Sequence, residues 1–160
     1  MTSDKDKKYS FNVIIDTREQ KPWAFAGCNT INKKLDTGDY SIEGLENLLC
    51  IERKNSVSEI ANNISESRFK AEIERMNDYL YKFILLEFSL QNVLDYPVNS
   101  NVPRRLWNKI KIRPAFILKF LTELQTKHNI NVVFCDNPAA ANQMAFSIIK
   151  RVNEMHGNGK

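Results

Sequence analysis

Apolar positions along this chain fall into two rhythms. The runs 48–53 and 83–88 are apolar on successive residues, the pattern of strands covered on both faces. Residues 11–15 predict a first strand that delivers Asp16 at its C-terminal end, where open α/β sheets place their ligand sites. Residues 30–35, 40–42 and 129–135 read as further strands, with Glu43-Gly44 marking a hairpin into 48–53. Elsewhere the spacing is helical. Val57, Ile60 and Ile64 share one face, and after the break at Ser65-Glu66-Ser67 the row continues with Phe69, Ile73, Met76 and Leu80. Ser56-Val57-Ser58-Glu59 is a capping box that opens the first of these helices. Pro114 suits the first turn of a helix carrying Ile117, Phe120, Leu121 and Leu124. Asn137-Pro138 caps a last helix with Ala141, Met144, Ala145, Ile148, Val152 and Met155 inward. Strand and helix alternate after an initial strand meander, which predicts an α/β fold: a three-layer α/β/α domain around a central mixed sheet.

Length and composition narrow this picture. At 160 residues the chain is one domain, expected over 9–156, with a disordered lead over 1–8 and a frayed end over 157–160. No stretch approaches the roughly 20 apolar residues that span a bilayer, and the charged start has no apolar core of a signal peptide. A soluble, non-secreted protein is expected. Cys28, Cys50 and Cys135 are odd in number and lack metal-site spacing, so they read as reduced thiols. His128 and His156 fall at helix ends and read as surface residues. The net charge of +4 says little by itself, but its distribution says more. No acidic residue lies between Asp95 and Glu123, a window that holds Arg104, Arg105, Lys109 and Lys111 beside Trp107. Such a segment either tracks a phosphate backbone or is a solvated basic loop.

The chemistry gathers at Thr37-Gly38-Asp39-Tyr40 and Ile51-Glu52-Arg53-Lys54. Residues two apart on a strand share a face, so Glu52 and Lys54 point one way and Arg53 the other. Asp39 can join Glu52 from the preceding turn. Two carboxylates can hold a hard cation such as Mg²⁺, and an adjacent ammonium can orient an attacking water or stabilise charge on phosphorus. Glu59 reads as a cap, with a metal ligand as the alternative. Glu87, inside an apolar run, needs a partner, either a site arginine or water at the strand end. Trp23 reads as packing.

The same residues carry a resemblance. Gly38-Asp39, a short spacer and Glu52-Arg53-Lys54 resemble the G-D-x(n)-E-R-K signature of the XPF family of structure-specific DNA endonucleases. Further similar segments are Ile14-Ile15-Asp16-Thr17-Arg18-Glu19, Ser67-Arg68-Phe69 with Arg75-Met76, Ile84-Leu85-Leu86-Glu87-Phe88, and Phe134-Cys135 before Asn137-Pro138. The pattern departs once: the aspartate that follows the lysine after three residues is Ser58 here, with Glu59 next. The resemblance implies a restriction-endonuclease-like fold and hydrolysis of DNA phosphodiester bonds at forks, flaps or junctions, in repair, recombination or replication. It implies Mg²⁺ or Mn²⁺ held by Asp16, Asp39 and Glu52, with Lys54 assisting the water and Arg18 and Arg53 supporting phosphate or carboxylates. Arg68 matches the family arginine, whose alternative is an i,i+4 pair with Glu72, and with Arg104, Arg105, Lys109 and Lys111 it forms the expected DNA-binding set. A homodimer through the last two helices is implied, and an accessory DNA-binding partner or second copy would supply branch recognition. The expected location is cytoplasmic in a bacterial or phage setting, or nuclear in a eukaryote, with no membrane partner. Two other readings stay open: a non-catalytic DNA-binding or dimerisation subunit, and a nuclease of different preference on the same fold.

Overall fold

Each doubly apolar run becomes a strand in the computed structural model, which describes residues 8–157. Of the lead expected over 1–8 and the frayed end expected over 157–160, residues 1–7 and 158–160 lie outside them. The strands are β1 (Asn12–Ile15), β2 (Asn29–Asn32), β3 (Tyr40–Ile42), β4 (Leu49–Lys54), β5 (Tyr81–Leu86) and β6 (Asn131–Phe134). They form one sheet in the order β2-β1-β3-β4-β5-β6. It is mixed: β3 runs antiparallel to both β1 and β4, while β1 with β2, β4 with β5, and β5 with β6 are parallel. The opening is therefore not a simple meander, because β2 crosses back to pair in parallel on the outer edge of β1.

The helices are α1 (Val57–Asn63), α2 (Ser67–Met76), α3 (Leu90–Asp95), α4 (Pro114–Thr126) and α5 (Pro138–His156). Alternate residues of the central strands feed two separate cores. Cys50, Ile84 and Leu86 meet α1, α2 and α4 through Ile60, Phe69, Ile73, Met76, Ile117 and Leu121. Leu49, Ile51 and Leu85 meet α5 through Ala141, Ala145 and Ile149, together with Trp23 and Phe25 from the loop after β1. This is the expected α/β/α layering with a mixed sheet. All three cysteines are free and buried, and among the described residues no helix is long and apolar enough to cross a membrane.

Several local expectations shift for physical reasons. Leu80 is 61% exposed, since α2 stops at Met76 and the chain turns toward β5 before the helical row reaches it. On α5 the buried row is Ala141, Ala145, Ile149 and Val152, while Met144 and Met155 face outward. That row climbs in steps of four, four and three, so Ile149 takes the inward place expected of its neighbours. Helix α3 was not expected; its signal is local, with Asn92 N–H donating to Ser89 Oγ (3.0 Å) and Ser89 N–H donating to Asn92 Oδ1 (2.9 Å).

Candidate active site

β1 ends, β3 begins and β4 ends at the same end of the sheet, and that shared end assembles the site. Gly38 makes the approach possible. Its φ of +86° is open to glycine, and a Cβ there would sit 2.7 Å from Cys50 Sγ and 3.1 Å from the Ile51 carbonyl oxygen. The following Asp39 N–H donates to that same Ile51 oxygen at 2.8 Å, and the Asp39 carbonyl accepts from Asp16 N–H at 2.8 Å. The Asp39 carboxylate then accepts from Arg53 N–H through Oδ2 at 2.8 Å. Asp39 is thereby stitched against the end of β4.

Glu52 and Lys54 share the face of β4 that looks toward α1 and α2. Lys54 Nζ lies 3.2 Å from Glu52 Oε1 and 3.4 Å from Glu59 Oε1, 4.4 Å above the Phe69 ring. A cleft of about 270 Å³ opens here, walled by Asp39, Glu52, Lys54, Glu59, Asn63 and Glu72, with Arg18, Arg68 and Arg75 around it. Glu72 turns to Gly38 N–H (3.4 Å) instead of pairing with Arg68, which is left exposed at the cleft. Glu59 Oε2 accepts from Asn55 N–H (3.3 Å) while Ser56 Oγ accepts from Glu59 N–H (3.2 Å). It caps α1, one residue earlier than the capping box implies, and faces Lys54 as well.

The cleft is short of positive charge. Burial, compounded by Glu19 and Glu72, raises the Asp39 carboxyl to about 7 despite the Arg53 N–H. Burial and the neighbouring Asp39 push Glu52 well above the carboxylate range. Burial would lower the Lys54 ammonium, but Glu52 and Glu59 outweigh it and hold it protonated. Among the described residues two buried side-chain oxygens lack any hydrogen-bond partner, Glu52 Oε2 and Asn63 Oδ1, and both residues line this cleft. Among the same residues no group of three or more His, Cys, Asp or Glu is drawn together as a ready metal cage. A hard cation that keeps most of its waters needs only one or two carboxylates, however, and Asp39 with the unpartnered Glu52 oxygen is such a pair.

Asp16 is placed differently. It is 1% exposed and lies behind the cleft, outside its wall. Its Oδ1 accepts from Leu35 N–H (2.8 Å), and its Oδ2 accepts from Arg18 Nε (2.7 Å) and Arg18 N–H (3.1 Å). Burial raises its carboxyl, but those bonds prevail and its pKa is lowered overall. Arg53, on the other face of β4, is equally engaged. Its Nε donates to Glu87 Oε1 (3.1 Å), its Nη1 to Lys21 O (2.7 Å) and Glu19 Oε2 (3.2 Å), and its guanidinium covers the Trp23 ring at 4.8 Å. Trp23 stacks in turn on Tyr40 and donates through Nε1 to Glu87 (2.9 Å). Glu87 therefore has the arginine partner that its burial demands. The basic window stands apart: Arg104, Arg105, Lys109 and Lys111 are exposed on and just after a 3-10 helix, Arg104–Lys109, beside a groove that reaches Ser58 of α1. Trp107 packs there, donating to Val102 O at 3.0 Å.

The strand-end carboxylates, the lysine and the glycine turn sit inside a longer match. The family model described as the ERCC4 domain matches residues 15–148. This chain belongs to the ERCC4 domain family. The structure of XPF from Aeropyrum pernix is similar at a TM-score of 0.64 and 21% identity, covering 89% of this chain and 65% of that one. A second structure, XPF from Aeropyrum pernix in complex with DNA, gives 0.66 and 22%, covering 91% and 66%. The chain thus spans just under two thirds of the length of these relatives, and the likeness is one of fold. No curated protein matches. Within this ERCC4 domain, Arg18, Asp39, Glu52, Arg53, Lys54 and Arg68 line one cleft, while Asp16 and the basic window lie outside it. The sequence reading missed Glu72, Asn63 and Arg75. The signal available for Glu72 and Arg75 was a second, polar row on α2, Arg68, Glu72 and Arg75, at steps of four and three; Asn63 ends α1 and had no such row.

Proposed function

We propose that this domain is an endodeoxyribonuclease that uses Mg²⁺ or Mn²⁺ to hydrolyse DNA phosphodiester bonds, preferentially at forks, flaps or junctions. The observation that carries the reading is Glu52, buried against Asp39 with one oxygen unpartnered and a protonated lysine on the other. That arrangement is electrostatically incomplete in the way a cation site is. Membership of the ERCC4 family and the DNA complex of the Aeropyrum pernix relative support DNA as the substrate.

Asp39 and Glu52 are the residues that would hold the ion, which when bound polarises the phosphoryl oxygen and acidifies a water. Lys54, its ammonium beside Glu52 and Glu59, would donate to the attacking water or to the developing phosphorane charge. Arg68 and Arg18 line the cleft where a scissile phosphate would lie. Arg53 works through its backbone, whose N–H aims the Asp39 carboxylate. Asp16 supports Arg18 and the turn that carries Leu35. The exposed basic window would extend the contact along the DNA backbone. A second copy would cover exposed apolar residues of α4 and α5, among them Phe116 and Met155.

The test is to offer labelled fork, flap, duplex and single-stranded DNA with Mg²⁺, with Mn²⁺ and with EDTA, beside Lys54→Ala. Cutting of branched substrates that needs the ion and Lys54 is expected. Binding without cutting would make the domain a DNA-binding subunit, and equal cutting of all substrates would remove the branch preference.

A further inference from the structure

We infer that Glu72 is a third carboxylate of the cation site, supplied from α2 to the cleft that Asp39 and Glu52 line. The inference rests on the metal-dependent reading above and assigns a residue that neither the E-R-K signature nor the strand pattern contains. Glu72 is brought to the cleft by α2, whose inward row of Phe69, Ile73 and Met76 fixes the helix on the sheet. One turn after Arg68, its carboxylate accepts from the N–H of Gly38, the residue before Asp39.

Its other neighbour is decisive. Glu72 and Glu52 line the same cleft, and Glu52 Oε2 finds no donor there. Once ionised, the cleft carboxylates repel one another and none can donate, so a cation entering the cleft would offset that repulsion. Lys54 cannot fill that role, since its ammonium is engaged by Glu52 Oε1 and Glu59. The second unpartnered oxygen, Asn63 Oδ1, lines the same cleft and is an acceptor for a water carried by a hard cation. Asp16, the third carboxylate that the family resemblance implies, already has protein donors on both oxygens and does not line the cleft. The three cleft carboxylates are not yet gathered as a cage; an entering ion would draw them in.

The experiment is Mn²⁺ binding to the full chain by calorimetry at fixed ionic strength, with melting temperature in EDTA and in Mn²⁺ as a second readout. Glu72→Gln, which keeps the shape, should weaken Mn²⁺ binding by about 10- to 100-fold without lowering the melting temperature in EDTA. Glu72→Asp should fall between it and the unaltered protein, which also guards against a folding failure of the glutamine variant. Asp16→Asn should melt earlier yet bind Mn²⁺ normally. Unchanged affinity in Glu72→Gln while Glu52→Gln loses binding would overturn the role of Glu72 and leave the Asp39–Glu52 site standing. Loss of affinity in Asp16→Asn but not in Glu72→Gln would give the third place to Asp16. If the unaltered chain binds no Mn²⁺ at all, the metal reading itself falls.

Discussion

The two faces of β4 at its C-terminal end carry consecutive residues under opposite conditions. Toward α1 and α2, Glu52 is buried among like charges with an oxygen unpartnered. Toward the loop after β1, Arg53 is caged by Glu87, Glu19, Lys21 and the Trp23 ring. One face is open to further charge, its carboxylate unsatisfied; the other is closed to it, its arginine saturated by protein partners. The contrast teaches that the strand divides its labour. The saturated side fixes the backbone, and the backbone N–H of Arg53 in turn aims Asp39 into the unsatisfied side. Electrostatic strain at the site is thus held in place by a neighbour that has none.

The largest effect expected on this comparison is on the open face. Lys54→Ala should lower single-turnover cleavage by about 10² to 10³-fold, the usual loss when one preorganised donor to developing charge is removed. Glu52→Gln should also abolish cutting, yet it should raise the melting temperature in EDTA. The sign follows from the raised Glu52 pKa: the folded state holds the proton more tightly than the unfolded chain, so stability falls as pH rises above the unfolded value, and a neutral glutamine removes that loss. A lower melting temperature for this variant would mean that the Lys54 pair outweighs the repulsion, and the contrast between the faces would collapse.

On the closed face the sign should reverse. Glu87→Gln breaks a pair in which the Glu87 side chain is 1% and the Arg53 side chain 15% exposed, and urea unfolding should show a loss on the order of 3 kcal/mol. Cleavage should fall as well, through a lower kcat at nearly unchanged KM, because Asp39 loses its aim. Next in size is the hinge between the two faces. Gly38→Ala forces a Cβ toward Cys50 Sγ in a left-handed conformation, and a stability loss of about 1–3 kcal/mol is expected in the same unfolding assay.

The smallest effect per residue lies farthest from β4. Changing Arg104, Arg105, Lys109 and Lys111 together to Gln should leave Mn²⁺ affinity intact. It should flatten the dependence of log DNA affinity on log salt by about 3 to 4 units if all four meet phosphates. Anisotropy across a salt series in Ca²⁺ reads this directly, and an unchanged slope would return the segment to a solvated loop.

What could be read in advance follows from what is periodic. The facing of Glu52, Arg53 and Lys54 was legible because a strand alternates whatever surrounds it. The need of Glu87 for a partner was legible because an isolated buried carboxylate is too costly to persist. The cap at Asn137 and the proline start of α4 are local chemistry, and they appear where the residues predict. Glu72 was not legible, since on its own helix it looks like the i,i+4 partner of Arg68.

The amino-acid sequence by itself determined the layers, the strand-end position of the site, and the glycine turn that lets Asp39 approach β4, because each depends on hydrophobic period or on a local steric limit. Only the tertiary structure decided which carboxylates share the cleft. Asp16 was drawn off by donors from Leu35 and Arg18, and Glu72 was brought in by the packing of α2 on the sheet. Charge pairing between segments distant in the chain is set by how the core seats their elements, and no periodicity along the chain encodes that distance.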